Sequence, residues 1–189
     1  MILESLVSAP RQLILFAMIL LTVCAAAVQG AAGLWLEVPY IRQEKDGCGS
    51  ASLAMVLRYW QTKNVSVAEE RTDPAKIQRE LYSAKPRGIY ASDMERYLRE
   101  SGFRVFSFRG EWSDLRSHIA KGRPLIAGLK LHRAPAHYVV IVGVDPQDAA
   151  VLVNDPERGK LLPMDRSEFE KVWHGTDNWT LLAVPKHEE

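Results

Sequence analysis

A chain of 189 residues, 47% of them apolar, is long enough for one ordinary domain with a real core plus a short extension. Its 24 basic and 23 acidic residues leave a formal charge of +1 with no run of like charge, so the balance gives no reason to expect nucleic acid as a partner. Two cysteines among 189 residues argue against both a disulfide scaffold and a cysteine-rich zinc module.

Residues 1–30 stand apart. The stretch 13–28 carries no charged residue, follows Arg11 and runs into small residues, the pattern of an export signal with Val28-Gln29-Gly30 as one cleavage site. An uncleaved membrane anchor is the competing expectation, because the run lies near the lower length limit for crossing a bilayer. A lipoprotein signal on Cys24 is disfavoured by the size of Val23 before it. In either case residues 31–189 are expected to work outside the cytoplasm, periplasmic or extracellular, with possible membrane association through the N-terminal segment. Cys48 is then that domain's only cysteine, a thiol without an internal disulfide partner.

Residues 35–41, WLEVPYI, read as an extended approach that Pro39 keeps to a sheet edge or a groove wall. Leu53, Leu57 and Trp60 then recur at helical spacing, which places a helix over about 48–60 with Cys48 at its start. Unpaired N–H groups and the positive end of the helix dipole at that place favour a thiolate. Asp73-Pro74 caps and opens a short helix with Ile77 and Leu81 inward. Lys85-Pro86-Arg87-Gly88 breaks the chain, and Ser92 with Glu95 is a capping-box pattern for a helix facing Met94, Tyr97 and Leu98 inward and ending at Gly102. Residues 103–108 suit a strand, and Ser113 is expected to cap a helix with Leu115 and Ile119 inside, closed by Gly122.

From Pro124 the period changes. Runs at 125–131, 138–144 and 151–153 are rich in Val, Ile and Leu and separated by turn residues, so they are strands. Asp145-Pro146-Gln147-Asp148 makes the last two an antiparallel hairpin. Ser167 and Glu170 repeat the capping-box pattern for a helix through Val172 and Trp173, and 180–184 is a final strand. Helices first and sheet afterwards is an α+β arrangement, N-terminal helices packed on a C-terminal antiparallel sheet.

A cysteine that attacks carbonyl carbon needs a base, a group to orient that base, and donors for the developing oxyanion. His137 opens the strand HYVVIVGVD and Asp155 ends VLVNDP. With the turn centred near Gln147, residues 139 and 155 face each other, so His137 and Asp155 share one end of the hairpin. A slip of one residue would present Asn154 instead. Gln43, five residues before Cys48, is the natural oxyanion donor alongside the Cys48 backbone N–H. His118 and His174 look like surface residues, as does His187 in the tail; His132 is a rival base close in sequence to His137. Trp112, Trp173 and Trp179 suit a core or rim role better than a groove lining. Cys48, His137 and Asp155 lack the short ligand spacings of a structural zinc site, and neither a metal nor a cofactor is expected.

The blocks QEKDGCGSASLAMVLRYW, HYVVIVGVD and VLVNDP resemble the three motifs of family 39 of the cysteine peptidases, the bacteriocin-processing peptidases of papain-like fold. The resemblance spans about Val38 to Pro156 and implies Gln43 as oxyanion donor, Cys48 as nucleophile, His137 as base and Asp155 as orienting residue. The Gln43-to-Cys48 spacing is one residue shorter than in many members. The best-known members are fused to export transporters and trim double-glycine leaders on the cytoplasmic side, a substrate that does not carry over to a domain expected outside. The expectation is therefore a thiol peptidase acting on a peptide or protein. A thiol acyltransferase on the same scaffold and a non-catalytic peptide-binding module are the alternatives.

Overall fold

Eleven of the fifteen residues of the first helix are buried, and the domain is built around it. The computed structural model describes residues 33–131, 136–145, 147 and 149–186. The export or anchor segment at 1–30, Cys24, His132 and His187 lie outside the described residues.

In chain order the elements are β1 (Leu34–Trp35), α1 (Cys48–Thr62), a 3-10 turn (Glu69–Thr72), α2 (Pro74–Leu81), α3 (Ala91–Glu100), β2 (Phe103–Arg109), α4 (Trp112–Ala120), β3 (Leu125–Leu129), β4 (His137–Val144), β5 (Ala150–Asp155), β6 (Gly159–Asp165), α5 (Arg166–His174) and β7 (Trp179–Pro185). The strands form one antiparallel sheet in the order β2-β7-β3-β4-β5-β6, with β1 pairing the far end of β4. This is the expected α+β architecture of helices on an antiparallel sheet, with the helices less segregated than anticipated, because β2 sits between α3 and α4 and α5 precedes β7.

Every residue of β3 and β4 is buried, so both faces of the central strands are covered, which is why they read as unbroken apolar runs. α1 packs on β4, and α4 and α5 pack on β3 and its neighbours. Two polar tips fix the long helix: the Trp60 indole donates to the Ala183 carbonyl (3.1 Å) and the Tyr59 hydroxyl to the Gly122 carbonyl (2.7 Å). Both rings deliver large apolar area to the core while their polar atoms stay paired.

Three capping expectations are corrected. Asp73 caps α2 as anticipated, its Oδ1 accepting from Ala75 N at 2.9 Å. α3, however, starts at Ala91 behind Tyr90 with no side-chain cap, so Ser92 lies inside the helix. Glu111, not Ser113, caps α4, in a reciprocal box with Asp114 that brings both side chains onto main-chain N–H groups. α5 starts at Arg166 behind Asp165 with no side-chain cap, leaving Ser167 within it. Strand β6 is a half-exposed edge interrupted by Pro163, with Leu161, Leu162 and Met164 partly buried against the core and Lys160 and Asp165 exposed, so its apolar alternation is broken.

Candidate active site

Cys48 is the first residue of α1, and the turn before it aims the helix start. Gly47 N donates to Glu44 O (3.0 Å), and Asp46 takes the left-handed φ of 55° that short polar residues tolerate. The N-cap is Gly47, with no side-chain cap and no acidic residue in the first turn, so the open N–H groups and positive helix end are left to Cys48. Gly49 is needed for closeness: a Cβ there would stand 3.1 Å from Ile89 Cβ.

His137 is brought up by β4. One turn along α1 from Cys48, the fully buried Ser52 donates its hydroxyl to the Tyr138 carbonyl (3.3 Å), fixing the helix against the strand beside the base. His137 Nε2 bonds Asp155 Oδ1 at 2.8 Å, and the Cys48 side chain is among the groups that raise the imidazole pKa. With Nε2 occupied by the carboxylate, Nδ1 is the ring nitrogen not bonded to Asp155.

The hairpin supplies this alignment. Val140 faces Asn154 and Ile141 faces Val153, the register expected from a turn near Gln147; a bulge between Ile141 and Gly143 shifts the pairs nearer the turn by one residue. Asp155 is therefore the residue presented to His137. Asn154, on the opposite side, is fully buried in a structural role, donating to Val38 O (3.1 Å) and accepting from Leu161 N (3.0 Å).

The electrostatics of the pair are coupled. Burial alone would lower the His137 pKa, but the hydrogen bonds with Asp155 and Cys48 and their charges raise it from 6.5 to about 10. Burial alone would raise Asp155, yet the bond from His137, its charge, and the N–H groups of Glu157 (2.9 Å) and Arg158 (3.2 Å) hold the carboxyl below its ordinary 3.8. The neighbouring Tyr138 phenol is pushed up to about 12, by burial first and then by the nearby sulfur.

Gln43 lies on the approach segment, which is laced to the strand carrying Asp155. Gln43 N donates to Pro156 O (2.9 Å), and the Tyr40 hydroxyl donates to the carbonyls of Asp155 (3.2 Å) and Pro156 (3.3 Å). The Gln43 Oε1 is buried and, among the described residues, has no hydrogen-bond partner.

A model of the Peptidase_C39 like family matches residues 35–180, a span that holds all four of these residues. The chain belongs to the Peptidase_C39 like family. That membership is consistent with a cysteine peptidase, a hydrolase. Among curated proteins it is 28% identical over 155 residues to the lactococcin-G-processing and transport ATP-binding protein LagD of Lactococcus lactis subsp. lactis, covering 80% of this chain and 19% of that protein. The chain thus spans about a fifth of that relative's length. Among solved structures, a C39-like peptidase from Bacillus anthracis aligns with a TM-score of 0.64 at 19% identity, covering 82% of this chain and 98% of the other. The peptidase domain of Streptococcus ComA, a bifunctional ABC transporter, aligns at 0.63 and 19%, covering 79% and 100%. A double glycine motif protease from an AMS/PCAT transporter, solved with its leader peptide, aligns at 0.59 and 24%, covering 82% and 96%. These three likenesses establish the C39 papain-like fold.

Other candidates in the C39-like domain fall away from the site. His118 packs its ring against Phe108 (6.2 Å), and His174 bonds Glu170 O at the end of α5 (2.8 Å). Trp112 and Trp173 are core residues, while the partly buried Trp179 meets the Tyr138 ring edge-on at 5.4 Å. No group of three or more His, Cys, Asp or Glu that could hold a metal occurs among the described residues, and no helix there is long and apolar enough to cross a membrane. Ser52, Tyr40 and Gln78 were not anticipated; Ser52 at i+4 from the cysteine carried the one usable signal, a polar residue on the helix face that must meet the base.

Proposed function

We propose that this protein is a thiol peptidase in which Cys48 is the nucleophile, His137 the general base and acid, Asp155 the orienting carboxylate, and Gln43 with the Cys48 N–H the oxyanion donors. The observation that carries the reading is the buried 2.8 Å bond between His137 Nε2 and Asp155 Oδ1, with Cys48 at the start of α1 acting on the same imidazole, each of the three delivered by a different rigid element. With the proton of the pair held by His137, the sulfur attacks the peptide carbonyl carbon, placing negative charge on its oxygen, where the two N–H donors receive it. Collapse breaks the C–N bond as the imidazolium gives its proton to the leaving amine. Water then attacks the thioester with His137 as base, releasing the acid and restoring the thiol.

The substrate is a peptide or protein segment. LagD is named for processing a bacteriocin and the AMS/PCAT protease was solved with a leader peptide, which supports a peptide substrate; the apolar stretch at 13–28 supports an exported or membrane-anchored setting in which that substrate is met outside the cytoplasm.

The test is alkylation of the purified protein by iodoacetamide at pH 7, located by peptide mapping to separate Cys48 from Cys24, with His137→Ala as comparison. Fast, stoichiometric labelling of Cys48 that slows strongly in His137→Ala supports the reading; labelling at the rate of an ordinary thiol, indifferent to His137, overturns it. A peptide library with and without amine or thiol acceptors separates hydrolysis from acyl transfer, and N-terminal sequencing of the mature protein reports whether the first segment is removed.

A further inference from the structure

Gln43 and Gln78 line one small cavity of about 60 Å³ between the approach turn and α2, together with Ser50, Ala51, Pro74 and Ala75. Each glutamine has a buried Oε1 without a hydrogen-bond partner among the described residues. At its other end the Gln78 amide is committed: Nε2 donates to the carbonyl of Asp46 (3.3 Å), in the turn that leads into Cys48. An orphaned buried acceptor is costly, about 1–3 kcal/mol each, so two on residues that line one cavity call for an explanation.

We infer that Gln78 is a positioning residue for the oxyanion hole, holding both of its arms. Resting on the oxyanion assignment above, the inference has two links. Through Nε2 it fixes Asp46, and with it the turn that sets the direction of the Cys48 N–H. Through Oε1 it shares with Gln43 a donor that neither carbonyl can supply to the other. One water bridging the two would meet that requirement, with an O–H group for each acceptor. That bridge keeps the Gln43 carbonyl turned inward, so its amide N–H groups face outward, where an oxyanion donor must point. An amide rotated by half a turn would present a carbonyl oxygen to the developing negative charge instead, and would repel it.

The test uses two reactions of the full chain that differ in their need for the oxyanion hole. Alkylation of Cys48 by iodoacetamide forms no oxyanion, whereas turnover of p-nitrophenyl acetate passes through one in both acylation and deacylation. Gln43→Ala sets the scale, with a loss on the order of 100-fold in ester turnover, the usual effect of removing one such donor. Gln78→Ala is expected to lower ester turnover by roughly 10-fold, a partial loss of that same donor's effect, with alkylation within about 2-fold of wild type. The double variant should be slower than Gln43→Ala by less than the full Gln78→Ala factor, because only the Cys48 N–H arm is then left to position. Gln78→Met, which keeps the length without the amide, should behave as Gln78→Ala and covers the case in which the smaller side chain weakens folding. A high-resolution crystal structure should show one ordered water within hydrogen-bond distance of both Oε1 atoms.

Unchanged ester turnover in both Gln78 variants overturns the inference, as does a double variant whose losses multiply, or alkylation that falls as far as turnover. An empty cavity overturns the water bridge. If Gln43→Ala itself leaves turnover intact, the oxyanion assignment fails and the inference fails with it, a result distinct from a Gln43 effect that Gln78 does not share.

Discussion

The Ser52 hydroxyl donates to the Tyr138 carbonyl at 3.3 Å, so the helix of Cys48 and the strand of His137 are joined one turn past Cys48 and one residue past His137. Two elements that merely pack can slide by a few tenths of an ångström, while a buried hydrogen bond sets their offset. Ser52→Ala removes it at a fully buried position and should cost about 1–2 kcal/mol by denaturant unfolding. Cys48 alkylation at pH 7 should also slow, whereas a purely structural bond would change stability and leave that rate alone.

The His137–Asp155 pair predicts a wide pH window. His137 is raised from 6.5 to about 10, so its contribution to stability is complete below pH 6.5 and is lost as pH climbs through about 10. Asp155 is depressed below 3.8, so its contribution is present above that value and is lost as pH falls through its lower folded pKa. An NMR titration should find His137 protonated well above pH 7 in the native protein. In Asp155→Asn the carboxylate charge is gone while burial remains, so the titration should move downward, and the alkaline limb of ester turnover should move with it.

Asn154 and Asp155, adjacent in sequence, should separate cleanly. Asn154→Ala abandons a donor to Val38 and an acceptor for Leu161 in a fully buried place, which costs about 2–4 kcal/mol at roughly 1–2 kcal/mol per lost bond. The His137 titration should stay near its native position in whatever fraction folds. Asp155→Asn should show the reverse order of damage, in thermal unfolding set against the His137 titration.

Asp46 holds a φ of 55° in the turn before the nucleophile. Asp46→Gly and Asp46→Asn should fold with native stability, since both residues accept that backbone. Asp46→Val should lose about 1–2 kcal/mol, the cost of a left-handed conformation for a β-branched residue, measured by thermal unfolding. Its exposed pairing with Arg87 at 3.7 Å adds little, so Arg87→Ala should be nearly silent.

Much of the site was legible because it depends on local rules. Helical spacing placed Cys48 at the start of α1, and a turn centred near Gln147 put His137 and Asp155 at one end of a hairpin. The helix starts near Ser92, Ser113 and Ser167 were misread because a serine with a glutamate or aspartate nearby is also common inside a first turn, and tertiary packing decided where each helix began. β6 escaped notice since an edge strand with a half-exposed face needs no apolar alternation. The roles of Ser52, Tyr40 and Gln78 depend on contacts across 86, about 115 and 32 positions of sequence, which no local pattern encodes.

The bulge between Ile141 and Gly143 divides one ribbon into two segments of different phase. In an unbroken ribbon a residue added at the tip inverts every side chain down to the open end. Here the discontinuity lies between the tip and the end that carries His137 and Asp155, where Val140 and Asn154 keep their own alignment. Variation in the length of the 145–149 connection can be absorbed there as a change of bulge, leaving the carboxylate opposite the imidazole. The tip is thus free to diverge while the chemistry at the other end stands still.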